Sequence, residues 1–326
     1  MVSTTRSSYF QFLEHFSLFF LFRTQKNQTK REHNRVYLTL FLPLCIMHFM
    51  KLPTEKLNVK IIALDLDDTL LNSSLKISPR TLYTLQKAAS KGIYIVLCSG
   101  RAENAILPYV RALDIAGSQQ GRYLIGINGA SIFDLHTRMS IYSEKISGDI
   151  LQFVYEEAKK RGLPAQVYDP STIYASEDNA WTQLDAQMCK LRLKIEKDFP
   201  SFLKQGHPKM VVPAEPSDVA KFLPFLKEQL AGRADVFISK PYFLEVMPFG
   251  CGKGSSVLWL AKYLGIPKEQ TMAFGDSMND ESMIKQCEYG IAMINGLDYI
   301  KNAAKYITRK SNDEDGIADF LEEFVL

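Results

Sequence analysis

Two hydrophobic periods alternate along the chain from residue 59 onward. Val59–Leu66 reads VKIIALDL, an almost unbroken apolar run that predicts a strand buried on both faces of a sheet. Ser78-Pro79 sets a helix start, with Ser78 as N-cap and Pro79 in the first turn. Leu82, Leu85, Ala88 and Ala89 then recur at helical spacing until Gly92 stops them. Ile93–Leu97 is a second apolar strand, so the segment reads as a βαβ unit with parallel strands. A helix over Ala102–Leu113 follows, then a strand over Tyr123–Ile127 ending at the turn pair Asn128-Gly129, then a hairpin from Ser131–Phe133 and Met139–Tyr142.

The middle third changes character. Helical patterns at Ile150–Arg161, Met188–Phe199 and Ser217–Leu230 mix with short strands at Gln166–Tyr168, Ile173–Ala175, Lys209–Val212, Val236–Ser239 and Tyr242–Val246. From Ser255 the first pattern resumes, with strands at Thr271–Phe274, Tyr289–Met293 and Tyr306–Ile307 between helices. The expected fold class is α/β: a parallel-sheet core at 56–132 plus 246–326, interrupted by an inserted α+β unit at 133–245.

Residues 1–55 are expected to be a poorly ordered extension. Phe16–Phe22 and Val36–Phe49 are apolar, with basic residues between them. The second run contains Pro43 and falls short of the ~20 residues a spanning helix needs, so no stable membrane span is expected. A translation start at Met50, a weak interfacial or targeting segment, and a true structural element remain alternatives for this stretch.

Charge narrows the partners. The net charge is +3, but residues 1–49 alone carry +4, which leaves the rest of the chain at −1. A polyanion needs a concentrated basic surface, so nucleic acid is not an expected partner. The five cysteines are widely spaced and form no CxxC pair, and only His136 and His207 lie beyond residue 50. A disulfide scaffold or a Cys/His zinc site does not fit; scattered thiols in a reducing, cytoplasmic setting do.

The candidate chemistry lies at strand ends, where open parallel sheets build their sites. Asp65, Asp67 and Asp68 follow the first strand, and Asp276 and Asp280 follow Ala273-Phe274. Converged carboxylates need a cation, and an oxygen-preferring magnesium ion would serve a phosphate substrate. Taken alone, Asp276 and Asp280 would also suit solvated loops or helix caps. Ser99-Gly100 in LCSGR could wrap an anion, or form an ordinary turn. Lys253 in GCGKGSS could neutralise a phosphoryl group, or be a loop lysine; the GxxxxGK[ST] spacing of a P-loop is absent.

In this order, Asp65-Leu66-Asp67-Asp68-Thr69, Ser99-Gly100-Arg101, Lys253 and Gly275-Asp276-Ser277-Met278-Asn279-Asp280 resemble the four motifs of the haloacid dehalogenase superfamily. Within it the chain closely resembles the Cof-type, sugar-phosphatase-like branch, and the resemblance runs from about residue 50 to the end. Asp68 stands where many relatives carry Gly, Ser99 where Thr is common, and Ile294 where Gly precedes the retained Asn295. The resemblance implies a Rossmann-like core with an α/β cap. It implies a magnesium-dependent phosphatase acting on small phosphorylated metabolites through an aspartyl-phosphate. On that basis Asp65 is the nucleophile and Asp67 the general acid/base. The metal falls to Asp65, Asp67 (through its carbonyl) and Asp276, with Asn279 and Asp280 behind them. Ser99 and Lys253 grip the phosphoryl oxygens. Thr69, Gly100, Arg101, Asn128 and Asn295 border the substrate. Apart from the resemblance, Asp178, Asn179, Trp181 and Gln183 of the inserted unit could line a substrate site or be surface loop residues. Lys253→Ala is expected to cut turnover and leave the fold largely intact. A phosphomutase of the same fold and a catalytically idle metabolite-binding protein are the rival readings.

Overall fold

The apolar run after Val59 forms β1 (Ile61–Leu64), and its alternate residues enter two different cores. Ile62 and Leu64 join one cluster with Leu85, Ile106, Phe320 and Leu321, from helices Pro79–Ser90, Glu103–Leu113 and Gly316–Phe324. Ile61 and Ala63 join another with Val257 and Leu260 of helix Lys253–Tyr263. A strand so covered must be apolar at nearly every position, which is why no period-two alternation shows. This computed structural model describes residues 51–326. Residues 1–50, with the apolar segments Phe16–Phe22 and Val36–Phe49, lie outside the described residues.

β2 (Tyr94–Cys98) and β3 (Tyr123–Gly126) continue the sheet in parallel on one side of β1. β4 (Ser131–Asp134) and β5 (Met139–Ser143) then add an antiparallel pair. The chain next builds a second, six-stranded sheet. It consists of β6 (Gln166–Tyr168), β7 (Thr172–Ala175), β8 (Arg192–Ile195), β9 (Met210–Pro213), β10 (Ala234–Lys240) and β11 (Phe243–Pro248), in spatial order β10-β11-β9-β6-β7-β8. It returns to the first sheet with β12 (Thr271–Gly275), β13 (Tyr289–Ala292) and β14 (Tyr306–Ile307). The eight-stranded order is β14-β13-β12-β1-β2-β3-β4-β5.

The second sheet is two-faced. Val167, Met210, Val212, Leu244 and Val246 pack under helices Gly148–Lys159 and Pro216–Gln229. By the period of two, Gln166, Tyr168, Val211 and Glu245 project from the opposite face.

Three expectations change. Because β4 and β5 pair with the core and β11 runs on to Pro248, we place the inserted unit at about 144–248 rather than 133–245. Lys51–Glu55, expected in the extension, begin the folded unit: the Lys51 ammonium donates to the carbonyls of Lys301, Asn302 and Ala304 at 3.0–3.1 Å, capping the end of helix Asp298–Ala303. The helix expected over Met188–Phe199 is instead the end of helix Ala180–Cys189 followed by β8, which pairs in parallel with β7 at the sheet edge. No helix among the described residues is long and apolar enough to cross a membrane.

Candidate active site

Parallel pairing of β1 and β12 puts Leu64 opposite Phe274, so the two acidic segments leave the sheet side by side. After Leu66 the chain turns at once: Asp67 has φ −73°, ψ 128°, and Asp68 is left-handed at φ 60°. The N–H groups of Leu70 and Leu71 close this wide turn on the carbonyls of Asp65 and Leu66 at 3.2 and 2.9 Å. Residues two apart on an extended strand would share a face, and the turn separates Asp67 from Asp65 instead. Asp65 is buried beneath the turn, whereas the Asp67 side chain is part-exposed above it.

One carboxylate oxygen from each of Asp65, Asp276 and Asp280 lies within 4.8 Å of the others. The Lys253 ammonium, fully buried, donates to Asp65 Oδ1 and, at 2.6 Å, to Asp280 Oδ1. Asp280 Oδ2 accepts the N–H groups of Asp276 and Ser277 at 2.9 and 3.0 Å, which fixes the loop after β12. Thr69 Oγ1 donates to Asp276 Oδ1 at 2.8 Å.

Three buried carboxylates thus face one ammonium. Burial holds the Asp65 carboxyl well above its usual range, Asp280 adds to this, and Lys253 opposes it. Burial followed by Asp280 pushes Asp276 up to about 7, against the hydrogen bond from Thr69. Burial works against the Lys253 cation, but Asp280 and Asp65 outweigh it and raise its pKa. The excess negative charge and the all-oxygen donor set fit a hard divalent cation.

A second group lies on the loops after β2 and β3. The Arg101 guanidinium forks onto both oxygens of Asp67, with Nε 3.0 Å from Oδ2. Ser99 Oγ accepts the Arg101 N–H at 3.2 Å. The N–H groups of Asn128 and Ile127 bond the carbonyls of Ser99 and Arg101 at 2.9 Å each. Gly129 has φ +100°, and a Cβ there would lie 2.3 Å from the Gly252 carbonyl oxygen, so only glycine lets the loop before Lys253 come this close.

The second sheet reaches the same loops. Asn128 Oδ1 accepts from Asn279 Nδ2 at 3.1 Å, and Asn128 Nδ2 donates to Glu245 Oε2 at 3.1 Å. Lys209 Nζ donates to the Gly100 carbonyl at 3.2 Å. Neither Glu245 nor Lys209 was identified from the sequence. The available signal was a lone acid within the buried strand FLEVMP, since an unpaired charge there would be costly.

Other expected residues are occupied elsewhere. Asn295 spends Nδ2 on the Asp68 carbonyl at 2.7 Å and Oδ1 on the Asn312 N–H at 3.2 Å. Asn179 caps helix Ala180–Cys189, Gln183 bonds Asp178, and Trp181 stacks on Tyr242. These expected cap-lining residues therefore serve the second sheet's own structure.

The sequence profile of haloacid dehalogenase-like hydrolases matches residues 62–321, which take in both sheets and every residue of the carboxylate cluster. The chain belongs to the haloacid dehalogenase-like hydrolase family, in its Cof-type phosphatase branch, and is a phosphoric monoester hydrolase. It is 30% identical over 296 residues to the phosphatase YwpJ of Bacillus subtilis, covering 82% of this chain and 100% of the relative. It is 28% identical over 279 residues to the 5-amino-6-(5-phospho-D-ribitylamino)uracil phosphatase YcsE of the same organism, covering 85% and 100%. The crystal structure of a haloacid dehalogenase-like hydrolase from Bacteroides thetaiotaomicron superimposes with a TM-score of 0.74 at 33% identity, covering 81% of this chain and 99% of that one.

Proposed function

We propose that the chain is a magnesium-dependent phosphatase of small phosphorylated metabolites, with Asp65 as nucleophile and Asp67 as general acid and base. The observation that carries the reading is the convergence of Asp65, Asp276 and Asp280 around the buried ammonium of Lys253. Asp65 and Asp276 would hold the magnesium ion, with the Asp67 carbonyl. The ion supplies neutralisation of charge on the phosphoryl oxygens.

The chain's own groups account for the rest. Lys253 fixes one Asp65 oxygen and leaves the other to attack phosphorus. As the Asp65–phosphorus bond forms, the bond to the leaving oxygen breaks and that oxygen takes a proton from Asp67. Water then attacks the aspartyl-phosphate, Asp67 takes back a proton, and inorganic phosphate leaves. The Arg101 fork orients Asp67 in its carboxylate form, and one of the two bonds opens when that oxygen carries the proton given to the leaving group. Ser99 and the remaining donor of Lys253 contact the phosphoryl oxygens. Thr69 and Asn295 act by holding Asp276 and the Asp68 turn instead of touching substrate.

A monoester on a polyol chain fits this reading, and the phosphate named for YcsE belongs in the test beside sugar phosphates. The experiment measures phosphate release from such a panel with magnesium and with EDTA. Release that requires the metal, and disappears in Asp65→Asn together with any trapped phosphoenzyme, is expected. Turnover that survives EDTA, or burst-phase phosphorylation of Asp65→Asn, would refute the reading. Phosphate passed back to substrate without net release would make the protein a mutase.

A further inference from the structure

We propose that Lys209 and Glu245 are positioning residues for the phosphatase reaction, a buried ion pair on the second face of the inserted sheet that holds the loops of the first. The inference rests on the function proposed above and adds a role for the inserted unit.

Both residues belong to that face by register. Glu245 of β11 pairs with Val211 of β9, and Lys209 stands two residues before Val211, diagonal to Glu245. Their charged atoms are 3.5 Å apart, and both side chains are less than a tenth exposed. Desolvating two charges is costly, and a hydrophobic pair of similar volume commonly fills such a place as stably. Stability alone therefore does not account for the pair.

What the pair touches gives it a purpose. Lys209 donates to the Gly100 carbonyl, with its ammonium 4.5 Å above the Tyr168 ring. Gly100 lies between Ser99 and Arg101, whose guanidinium grips Asp67. Glu245 takes the Ser239 hydroxyl on Oε1 at 2.6 Å and the Asn128 amide on Oε2. Asn128 passes the contact to Asn279, whose Oδ1 accepts from Ser277 in the loop that carries Asp276 and Asp280. One side of the pair thus ends at the proton donor and the other at the carboxylate loop.

This arrangement separates positioning from scaffolding through the leaving group. An alkoxide must be protonated by Asp67 as its bond to phosphorus breaks, whereas p-nitrophenolate leaves as an anion. Disturbing Lys209 should therefore penalise alkyl phosphates selectively. The test is the double variant Lys209→Met/Glu245→Gln, in which neither member of the pair is left without the other and Gln keeps one of the two acceptor oxygens. Its kcat/KM, which reports the phosphorylation half-reaction, is compared with that of the wild type on a hexose 6-phosphate and on p-nitrophenyl phosphate. The fall on the sugar phosphate should exceed that on the aryl phosphate by about tenfold or more, part of the roughly 10²–10⁴-fold that a positioned acid supplies. Equal falls on both, or no fall, would overturn the proposal. If the double variant does not fold by circular dichroism, Lys209→Arg, which keeps the charge but displaces the donor, is read by the same ratio. If another alkyl phosphate of the panel above is the one turned over, it takes the place of the hexose 6-phosphate; a wild type that releases phosphate from no member of that panel overturns the phosphatase reading and this inference with it. An active wild type whose variant shows no selectivity overturns this inference alone.

Discussion

Lys253 shows how a residue can be legible in its chemistry and misleading in its energetics. The sequence placed it in GCGKGSS, a stretch that looks like an exposed glycine loop, so Lys253→Ala was expected to spare the fold. The structure buries it completely between Asp65 and Asp280. Removing one partner of such a cluster leaves uncompensated charge, a loss of about 3–5 kcal/mol in comparable cases. Lys253→Ala should therefore lose turnover and also melt markedly earlier at neutral pH in EDTA. The deficit should narrow toward pH 5, because the raised Asp65 and Asp276 carboxyls take up protons and shed the repulsion. Denaturant unfolding at both pH values measures this, and a variant as stable as wild type at neutral pH would show that Lys253 offsets no charge. The strand-end acids were legible because a parallel sheet brings strand ends together. The duties of Thr69, Asn128 and Asn295 were not, because their partners lie 207, 117 and 227 residues away. Only the folded chain shows that their polar atoms are already committed to protein.

At the scale of elements, the buried strands of the first sheet were legible because being covered on both faces forces an apolar run. β8 was not: it is an edge strand whose sequence RLKI is mostly exposed, so no core imposes a period on it. Tertiary pairing with β7 decides its state where local preference does not. Helix Pro216–Gln229 starts from Glu215 with Pro216 at its first position, one residue before the helical pattern expected over Ser217–Leu230. The antiparallel pair β4–β5 carries a prediction of its own. Asp134 ends β4, is buried, and accepts from Arg122 Nε and Nη2 at 2.8 and 2.6 Å and from the His136 N–H at 2.9 Å. The Arg122 bonds, aided by the His136 N–H and against the cost of burial, hold this carboxyl well below the usual carboxylate range. Its folded pKa being depressed, the stabilisation is complete above the ordinary value of 3.8 and is lost as pH falls through the folded value. Asp134→Asn should be less stable than wild type at pH 7, and the gap should shrink on acidification toward about pH 2. Chemical denaturation across that range checks the sign, and a gap that stays constant would mean the charge contributes nothing to the turn.

For the molecule as a whole, the carboxylate cluster ties folding stability to the cation. Without a metal, the folded chain confines three carboxylates against one ammonium, a repulsion that unfolding relieves. A ligand that binds only the folded state adds about 2.7 kcal/mol at a free concentration one hundred times its Kd. For a domain of this size that is a rise in Tm on the order of 5 °C. EDTA-treated protein should therefore melt earlier than protein in magnesium, with a Tm that climbs with the logarithm of the metal concentration. Asp276→Asn turns the same argument round. The amide keeps an oxygen for the Thr69 hydroxyl but removes one of the repelling charges. The metal-free variant should then melt above the metal-free wild type, while gaining much less from magnesium. The two melting curves should cross as the metal is added. Parallel curves would mean that Asp276 contributes neither to the repulsion nor to the metal site. A wild-type Tm indifferent to magnesium would show that the cluster is held together by Lys253 alone.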